Sequence, residues 1–394
     1  MSKRANGEGT VFQRESDGRW VGRISLGQDA TGKRIRKTVY GKTQKEALDK
    51  IDDLKQQAKL NMKAIVARES LAAYLNWWLE NDVAVNRASK TYEEYEASVR
   101  LQSIPFIGHI KLSKIDGDDL IAWQAKLKRN KFSNNQRLRS IRVLRNALNK
   151  AVKHRKIPFN PCIVLDIPKV ERKEVVPLEP EKCHELFDEC MTHRLGDAVT
   201  LAIMTGLRLR EIFGLDWRDI NLAEGVLTVR KTLEELSKKT AKALGTGTLN
   251  EKPPKSKKSR RVITLEPIAI KALRNRLKKA KAEGFDPAEV PIVFPDTIGG
   301  RLRASNFYRM CWYPIREKLD IRHVKFHDLR HTQASLMLYA GVDMKVIQER
   351  LGHADFGTTA NMYAHMMQDS QAKATEKLDT LMAGSKPTPK PVGT

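Results

Sequence analysis

The chain has 394 residues, enough for two or three domains, and carries 72 Lys and Arg against 47 Asp and Glu, a formal net charge of +25. This excess favours a polyanionic partner, above all nucleic acid. The sequence has no run of 18 apolar residues and no signal-like stretch in MSKRANGEGTVF, so it argues against a membrane protein and favours a cytoplasmic, nucleoid-associated one. The four cysteines are too scattered for a disulfide framework or a zinc pattern: Cys162, Cys183, Cys190 and Cys311.

The N-terminal segment predicts a small sheet followed by a helix. The stretches GTVFQRE, RWVGRISL and KRIRKTVYG are separated by the turn-forming SDG and GQDATG, which indicates three short strands. Behind the cap candidate Thr43, helical spacing of Ala47, Ile51 and Leu54 predicts a helix. Basic strand residues are candidates to enter a DNA groove, although a solvated strand face explains them equally well: Arg23, Arg34, Arg36 and Lys37.

Residues 67–162 show helical periodicity throughout. In the last helix of this segment, Leu138, Ile141, Leu144, Leu148 and Val152 follow one apolar stripe, while Arg and Lys occupy most of the other face. That cationic face predicts DNA contacts from Arg142 and Arg145. The tryptophans of this segment are expected to fill a helical core rather than to stack on bases.

A proline-rich linker precedes a mixed region. Helices are expected over 181–192, 197–204, from 207, over 267–282 and onward to about 382, and strands near 226–233, 260–265 and 291–294. The final GSKPTPKPVGT is polar and rich in proline, which predicts disorder.

Four short stretches of the mixed region combine residues that suit phosphate chemistry. They are TGLRLREIFGLDWRDI, EKPPKSKKSRRVITL, VKFHDLRHTQASLMLYAG and ERLGHADFGTTANMYAHM. His327, Arg330 and His331 share one helix face, as an anion site requires, and a solvated basic helix end is the simpler alternative. Arg208 is either paired structurally with Glu211 or held by it towards a ligand. Lys255 is either part of a solvated hairpin or a proton donor.

These motifs, in this order, resemble the tyrosine recombinase (phage integrase) family: TGLRxxE, a Lys-rich hairpin, HDLRH, and LGH followed ten residues later by Tyr. The resemblance covers about 176–382. It implies a mainly α fold with small β-sheets (α+β), arranged as a C-shaped clamp around DNA. The implied organisation is an arm-type DNA-binding domain (1–65), a helical core-type DNA-binding domain (66–165), a linker (166–177), a catalytic domain with a C-terminal oligomerisation helix (178–384) and a disordered tail (385–394).

The resemblance also assigns roles to single residues. Arg208 and Arg330 would clamp the scissile phosphate, and Lys255 would protonate the 5′-oxygen leaving group, although Lys252, Lys257 and Lys258 lie near the same spot. His327 and His353 would assist proton transfer, and Tyr363 would be the nucleophile. Glu211 and His331 would support the site, and Lys257 and Lys258 would bind DNA. Three other tyrosines lie in apolar helical surroundings and are expected in the core: Tyr308, Tyr313 and Tyr339.

The expected function is that of an integrase: a site-specific recombinase of a mobile element that acts through a covalent 3′-phosphotyrosyl intermediate, without metal or other cofactor. The expected partners are attachment-site DNA, three further copies in a tetramer, and a host DNA-bending factor or an excisionase. Residues 368–382 either dock on a neighbouring subunit through Ala372, Leu378 and Leu381 or fold back on their own domain. Two alternatives stay open: a type IB topoisomerase-like enzyme that relaxes DNA, and a catalytically silent DNA-binding regulator.

Overall fold

The computed structural model describes residues 10–15, 17–28, 34–65, 69–170, 175–254 and 259–352, together with Thr375, Leu378, Asp379 and Met382. Within these ranges the side chains of 26–28, 34–36 and 56–65 are not described. The chain divides into two compact units, Met1–Glu171 and Arg172–Thr394. Across the described ranges, every helix is too short or too polar to span a membrane.

The first unit opens with the predicted three-stranded sheet and helix. Strands β1 (Thr10–Gln13), β2 (Trp20–Gln28) and β3 (Arg34–Gly41) are antiparallel in that order, and α1 follows at Gln44–Ile65. The Thr43 hydroxyl accepts from the backbone N–H of Glu46 (3.2 Å), as the cap prediction requires. A Cβ at Gly22 would lie 2.7 Å from Ile51 Cδ1, so glycine allows α1 to pack tightly on β2.

The rest of the first unit is helical. Its helices are α2 (Leu71–Trp78), α3 (Ala84–Asn86), α4 (Ser89–Ser98), α5 (Ile104–Ile107), α6 (Gly117–Arg129) and α7 (Asn134–Lys153). Single π-helical turns, Leu79–Val83 and Val99–Ser103, join α2 to α3 and α4 to α5. A capping box between Ser133 and Gln136 starts α7, whose stripe buries Ile141, Leu144 and Leu148 completely. Trp123 is also fully buried.

The second unit contains the remaining helices and two small sheets. Its helices are α8 (Pro180–Thr192), α9 (Asp197–Thr205), α10 (Leu209–Ile212), α11 (Lys238–Ala243), α12 (Pro267–Ala282), α13 (Ala304–Phe307), α14 (Tyr313–Lys318), α15 (Asp328–Tyr339) and α16 (Met344–Leu351). Its strands are β4 (Ile220–Asn221), β5 (Val226–Val229), β6 (Thr232–Glu235), β7 (Leu249–Lys252) and β8 (Arg261–Thr264). The hydrophobic helix α9 lies in the core, where Val199, Leu201 and Ala202 are buried. These elements confirm the predicted α+β class.

Two strand predictions for this unit are wrong. The single strand expected over 226–233 is two strands in different sheets, because β5 pairs with β4 and β8 whereas β6 pairs with β7. The strand is interrupted at Lys231, whose ammonium binds the carboxylates of Asp216 (2.5 Å) and Glu251 (2.9 Å). Around 291–294 only an isolated bridge forms, between Asp216 and Ile292.

The segment between β6 and β7 folds as a helix-topped hairpin, with the Ser237 hydroxyl capping α11. Towards the C terminus, the described residues Thr375, Leu378, Asp379 and Met382 are helical, and Leu378 and Met382 are exposed. Ala372, Leu381 and the 385–394 tail lie outside the described residues.

Candidate active site

Arg208 is positioned by the junction between α9 and α10. Gly206 ends α9 in the left-handed conformation (φ 66°), and Arg208 then occupies the N-cap position of α10. The Glu211 carboxylate accepts from both the backbone N–H of Arg208 (2.9 Å, Oε2) and its Nη1 (2.9 Å, Oε1). The carboxylate therefore holds both the backbone N–H and the guanidinium of Arg208, while 38% of the Arg208 side chain is exposed to solvent.

Glu211 is shared with a second arginine that the sequence did not single out. Arg261, at the start of β8, donates Nη2 to Glu211 Oε2 (3.0 Å) and Nη1 to Glu211 Oε1 (3.3 Å). Burial alone would raise the pKa of Glu211, but the charge and hydrogen bonds of Arg261, followed by those of Arg208, lower it below its ordinary value. Sequence reasoning missed Arg261 because it follows a run of lysines. The signal that could have found it is its position as the first residue of the strand pattern RVIT.

Arg330 lies on α15 and is buried, with 3% of its surface exposed. Its Nη1 donates to the backbone carbonyl of Gly206 and its Nη2 to the carbonyl of Leu351, both at 2.5 Å. Gly206 ends α9 and Leu351 ends α16, so one guanidinium connects the ends of two helices. Each of these two nitrogens also carries a second N–H.

Two histidines flank Arg330 on the same helix face. The rings of His327 and His331 lie 5.6 Å apart in an edge-to-face arrangement. Partial removal of the ring from water lowers the pKa of His327 to about 4, and the positive charges of His331, Arg330 and Arg208 act in the same direction. The residue as a whole is exposed, so hydration moderates this effect. Burial also lowers the pKa of His331, against the opposing charge of Asp328.

Arg208, Glu211 and His327 line one pocket of about 790 Å³. Arg330 is not among the described residues that line this pocket, but its charge acts on His327. Lys255, His353 and Tyr363 lie outside the described residues. The described residues nearest to Lys255 and His353 along the chain also line the pocket: Pro254, Ser259 and Gly352. Lys252, one alternative to Lys255, forms an ion pair with Glu234 (2.5 Å).

The tyrosines expected in the core do not behave alike. Tyr308 is half-buried and lines the pocket, and burial raises its pKa. Tyr313 and Tyr339 are 49% and 60% exposed, so the core prediction is wrong for both. Their apolar neighbours in the sequence lie on other faces of the helices.

The DNA-binding candidates differ in how free their side chains are. Arg23, Lys37 and Arg142 are exposed, and the Arg23 guanidinium lies 5.2 Å from the centre of the Phe12 ring. Arg145 is half-buried and donates Nη2 to the carbonyl of Cys162 (3.1 Å), so at least part of its role is to hold the turn at Pro161–Val164. The structure does not describe the side chains of Arg34 and Arg36. Lys257 and Lys258 lie outside the described residues.

All four cysteines are buried free thiols. Among the residues that the structure describes, no group of three His, Cys, Asp or Glu side chains is arranged to hold a metal ion.

Comparison with known proteins gives matches to both units. Residues 177–369 match the "Phage integrase family", and residues 70–128 match "Phage integrase, N-terminal SAM-like domain". The tyrosine recombinase XerC-like protein of Caldanaerobacter subterraneus subsp. tengcongensis is 28% identical over 378 residues, which cover 91% of this chain and 95% of that protein.

Solved structures show the same fold. The Tn1549 transposon integrase, in complex with a circular intermediate DNA, has a TM-score of 0.65 at 20% identity and covers 79% of this chain and 99% of its own. A lambda integrase tetramer bound to a Holliday junction has a TM-score of 0.55 at 16% identity and covers 91% of this chain and 96% of its own.

A cationic pocket built from separated arginine and histidine motifs, together with these matches, defines an enzyme that breaks and rejoins DNA. The chain belongs to the phage integrase family of tyrosine recombinases. The predicted recognition and the predicted site-specific recombinase activity are therefore confirmed at the level of the family.

Proposed function

We propose that the pocket containing Arg208 and His327 cleaves and rejoins DNA at defined sites of a mobile element through a 3′-phosphotyrosyl intermediate. The Tyr363 oxygen attacks the scissile phosphorus, the bond from phosphorus to the 5′-oxygen breaks, and Lys255 gives that oxygen a proton. In the rejoining step a 5′-hydroxyl attacks the phosphotyrosine and the tyrosine oxygen leaves. Because the covalent bond replaces the phosphodiester that was broken, the cycle needs no nucleotide hydrolysis.

The observation that carries the proposal is the convergence of two distant chain segments on one positive site. Arg208 follows α9, Arg330 lies on α15 and donates to the carbonyl at the end of α9, and His327 is acted on by both charges. A phosphoryl transfer builds negative charge on the nonbridging oxygens, and fixed cations in a partly dehydrated site stabilise that charge. Arg208 provides the exposed cation and Arg330 the buried one.

The histidines are suited to hydrogen bonding rather than to supplying charge. With a pKa of about 4, the free pocket holds His327 neutral at pH 7, so its ring both donates and accepts one hydrogen bond. His331 lies edge-on to it, supports its orientation, and His353 completes the set as the second histidine at the phosphate.

Tyr363 enters the proposal through its motif, and Lys255 and His353 through their motifs and the position of their chain neighbours. Pro254 precedes Lys255 and Gly352 precedes His353, and both line the pocket. A free tyrosine has a pKa of about 10, and the guanidinium groups favour its phenolate. Tyr308, which also lines the pocket, has a pKa raised by burial and is the poorer nucleophile.

The test is covalent trapping on nicked DNA. A duplex enriched from a random-sequence pool by binding to the protein is nicked next to the cleavage position, so that the released fragment diffuses away, and the reaction is run in EDTA. We expect a denaturation-resistant protein–DNA species with the wild type and with Tyr308→Phe, and none with Tyr363→Phe. Equal adduct from Tyr363→Phe would refute the assignment of the nucleophile.

The same preparation separates the two alternatives. A topoisomerase-like enzyme relaxes supercoiled plasmid that lacks the enriched site, whereas a recombinase needs the site and exchanges strands between two duplexes. A silent regulator binds the site and forms no adduct with any variant.

The proposed assembly is a homotetramer on two paired duplexes in the cytoplasm, with the exposed arginine and lysine of the N-terminal sheet, Arg23 and Lys37, on arm DNA. We expect the helix that contains Leu378 to dock on a neighbouring subunit, and an excisionase or DNA-bending factor to set the direction of recombination. Analytical ultracentrifugation with paired site DNA tests the stoichiometry.

A further inference from the structure

We propose that Arg261 is a positioning residue for phosphate binding: it neutralises Glu211 and thereby leaves Arg208 as a net cation in the pocket. This inference rests on the proposed function, because it assigns a purpose to the cation that the reaction requires. Arg261 does not touch the DNA in this proposal, since only 6% of its side chain is exposed.

The first step is the geometry of the carboxylate. Both oxygens of Glu211 accept from Arg261, and the same two oxygens accept from Arg208. Glu211 is only 2% exposed, so water contributes little to its stabilisation. The three side chains form a buried bridge in which Glu211 orients Arg208 and Arg261 orients Glu211.

The second step is the charge balance. Glu211 with Arg208 alone would be a neutral ion pair, and the phosphate would compete with the carboxylate for a single guanidinium. Two guanidinium cations and one carboxylate instead leave one net positive charge at the pocket wall. Since charges interact strongly away from bulk water, this difference matters for a phosphate at contact distance.

The third step is the connection to the other motifs. Arg261 Nε donates to the backbone carbonyl of Arg350 (2.6 Å), near the end of α16, and its Nη1 donates to the carbonyl of Ser259 (3.1 Å). Ser259 follows the segment that contains Lys255, and Arg350 stands three residues before His353. One side chain therefore holds the backbone at Ser259 and at Arg350 in addition to Glu211.

The second unit contains a matched control for the chemistry of this cluster. Arg276 is fully buried and binds Glu283 through two hydrogen bonds, of 3.1 and 2.9 Å, and it donates to the carbonyl of Arg194 (3.0 Å). Glu283 also binds a second guanidinium, that of Arg194 (2.6 Å). This is the same Arg–Glu–Arg arrangement, and none of its members is among the described residues that line the pocket.

The experiment compares Arg261→Gln with Arg276→Gln in the full chain. DNA affinity and the rate of adduct formation at saturating nicked duplex are measured, with rates expressed per folded molecule. We expect Arg261→Gln to slow adduct formation by about 10- to 100-fold with little change in DNA affinity, because a misplaced cation acts mainly on the transition state. The Arg276→Gln variant is expected to have a lower free energy of unfolding and to form the adduct at the wild-type rate.

A double-mutant cycle tests whether Arg261 acts through Glu211. If it does, Arg261→Gln combined with Glu211→Gln is no slower than the slower single variant, whereas multiplied effects would overturn the proposal. If Arg261→Gln does not fold, Arg261→Lys replaces it: a lysine keeps the charge with fewer contacts, so an intermediate rate is expected and the full wild-type rate would contradict the inference.

Failure of this inference is distinguishable from failure of the proposed function. If the wild type forms an adduct that depends on Tyr363 and the Arg261 and Arg276 variants are equally fast, only the positioning role is wrong. If the wild type forms no adduct, or Tyr363→Phe forms one, the proposed function fails and this inference fails with it.

Discussion

Arg330→Lys is the substitution that most sharply tests how the pocket is held together. The guanidinium spans two carbonyl oxygens on separate elements, that of Gly206 and that of Leu351. A single ammonium keeps the charge and reaches only one of them. The lost interaction is a charge-assisted hydrogen bond, worth about 1.5–3 kcal/mol, and its removal leaves a buried carbonyl without that partner.

This loss is expected to act on the end of α16. Since about 1.4 kcal/mol corresponds to a factor of ten in an opening equilibrium, amide protection in Met344–Leu351 is predicted to fall about 10- to 100-fold. Hydrogen–deuterium exchange measured by mass spectrometry on the full chain reports this segment separately from the other unit.

Arg145→Lys is the matched control, because Arg145 donates to one carbonyl, that of Cys162, which a lysine also reaches. Its effect on the Pro161–Val164 turn is expected to be small. Unchanged protection of α16 in Arg330→Lys, or an equal loss in both units, would refute the idea that Arg330 connects α9 to α16.

Three further predictions concern separate parts of the chain. Gly206→Ala places a Cβ 2.6 Å from Leu351 Cδ2 at φ 66°, whereas Gly245→Ala at φ 61° meets nothing within 4 Å. Both substitutions cost about 1–2 kcal/mol in backbone strain, and we expect a clearly larger fall in melting temperature for the first; equal falls would contradict the packing argument. Site DNA should raise the pKa of His327 from about 4, so binding takes up protons and affinity declines as pH rises through the bound-state pKa. Calorimetry in buffers of different ionisation enthalpy measures this uptake, and an unchanged uptake in His327→Gln would assign it elsewhere. Arg23→Ala should reduce the slope of log affinity for arm DNA against log salt by about 0.9, and an unchanged slope would remove Arg23 from the phosphate contacts.

Much of the local structure could be predicted because local rules decide it. The cap at Thr43 and the left-handed glycines Gly206 and Gly352 depend on residues within a few positions of one another. The apolar stripe of α7 follows from helical periodicity alone.

Features that depend on distant partners could not be predicted. The break at Lys231 is set by Asp216 and Glu251, which lie 15 and 20 residues away. Arg261 gains its role from Glu211, 50 residues earlier in the chain, and in the sequence it is one more basic residue at the end of a basic run. The sequence also did not predict which face of a helix is exposed to solvent, as the exposure of Tyr339 shows.

Within the candidate site, the structure brings together Arg208, His327 and Arg330. The spacing of their motifs along the sequence could not predict the distances between these side chains. The roles of Lys255 and His353 rest on motif position and on chain neighbours that line the pocket, and the role of Tyr363 rests on its motif position.

The most direct test of the central claim is to find the residue that becomes covalently bound to DNA. The adduct formed on nicked site DNA is digested with nuclease and protease, and the nucleotide-modified peptide is sequenced by mass spectrometry. The account predicts one modified peptide, with the 3′-phosphate on Tyr363. A modification on Tyr308 or on any other residue would contradict it.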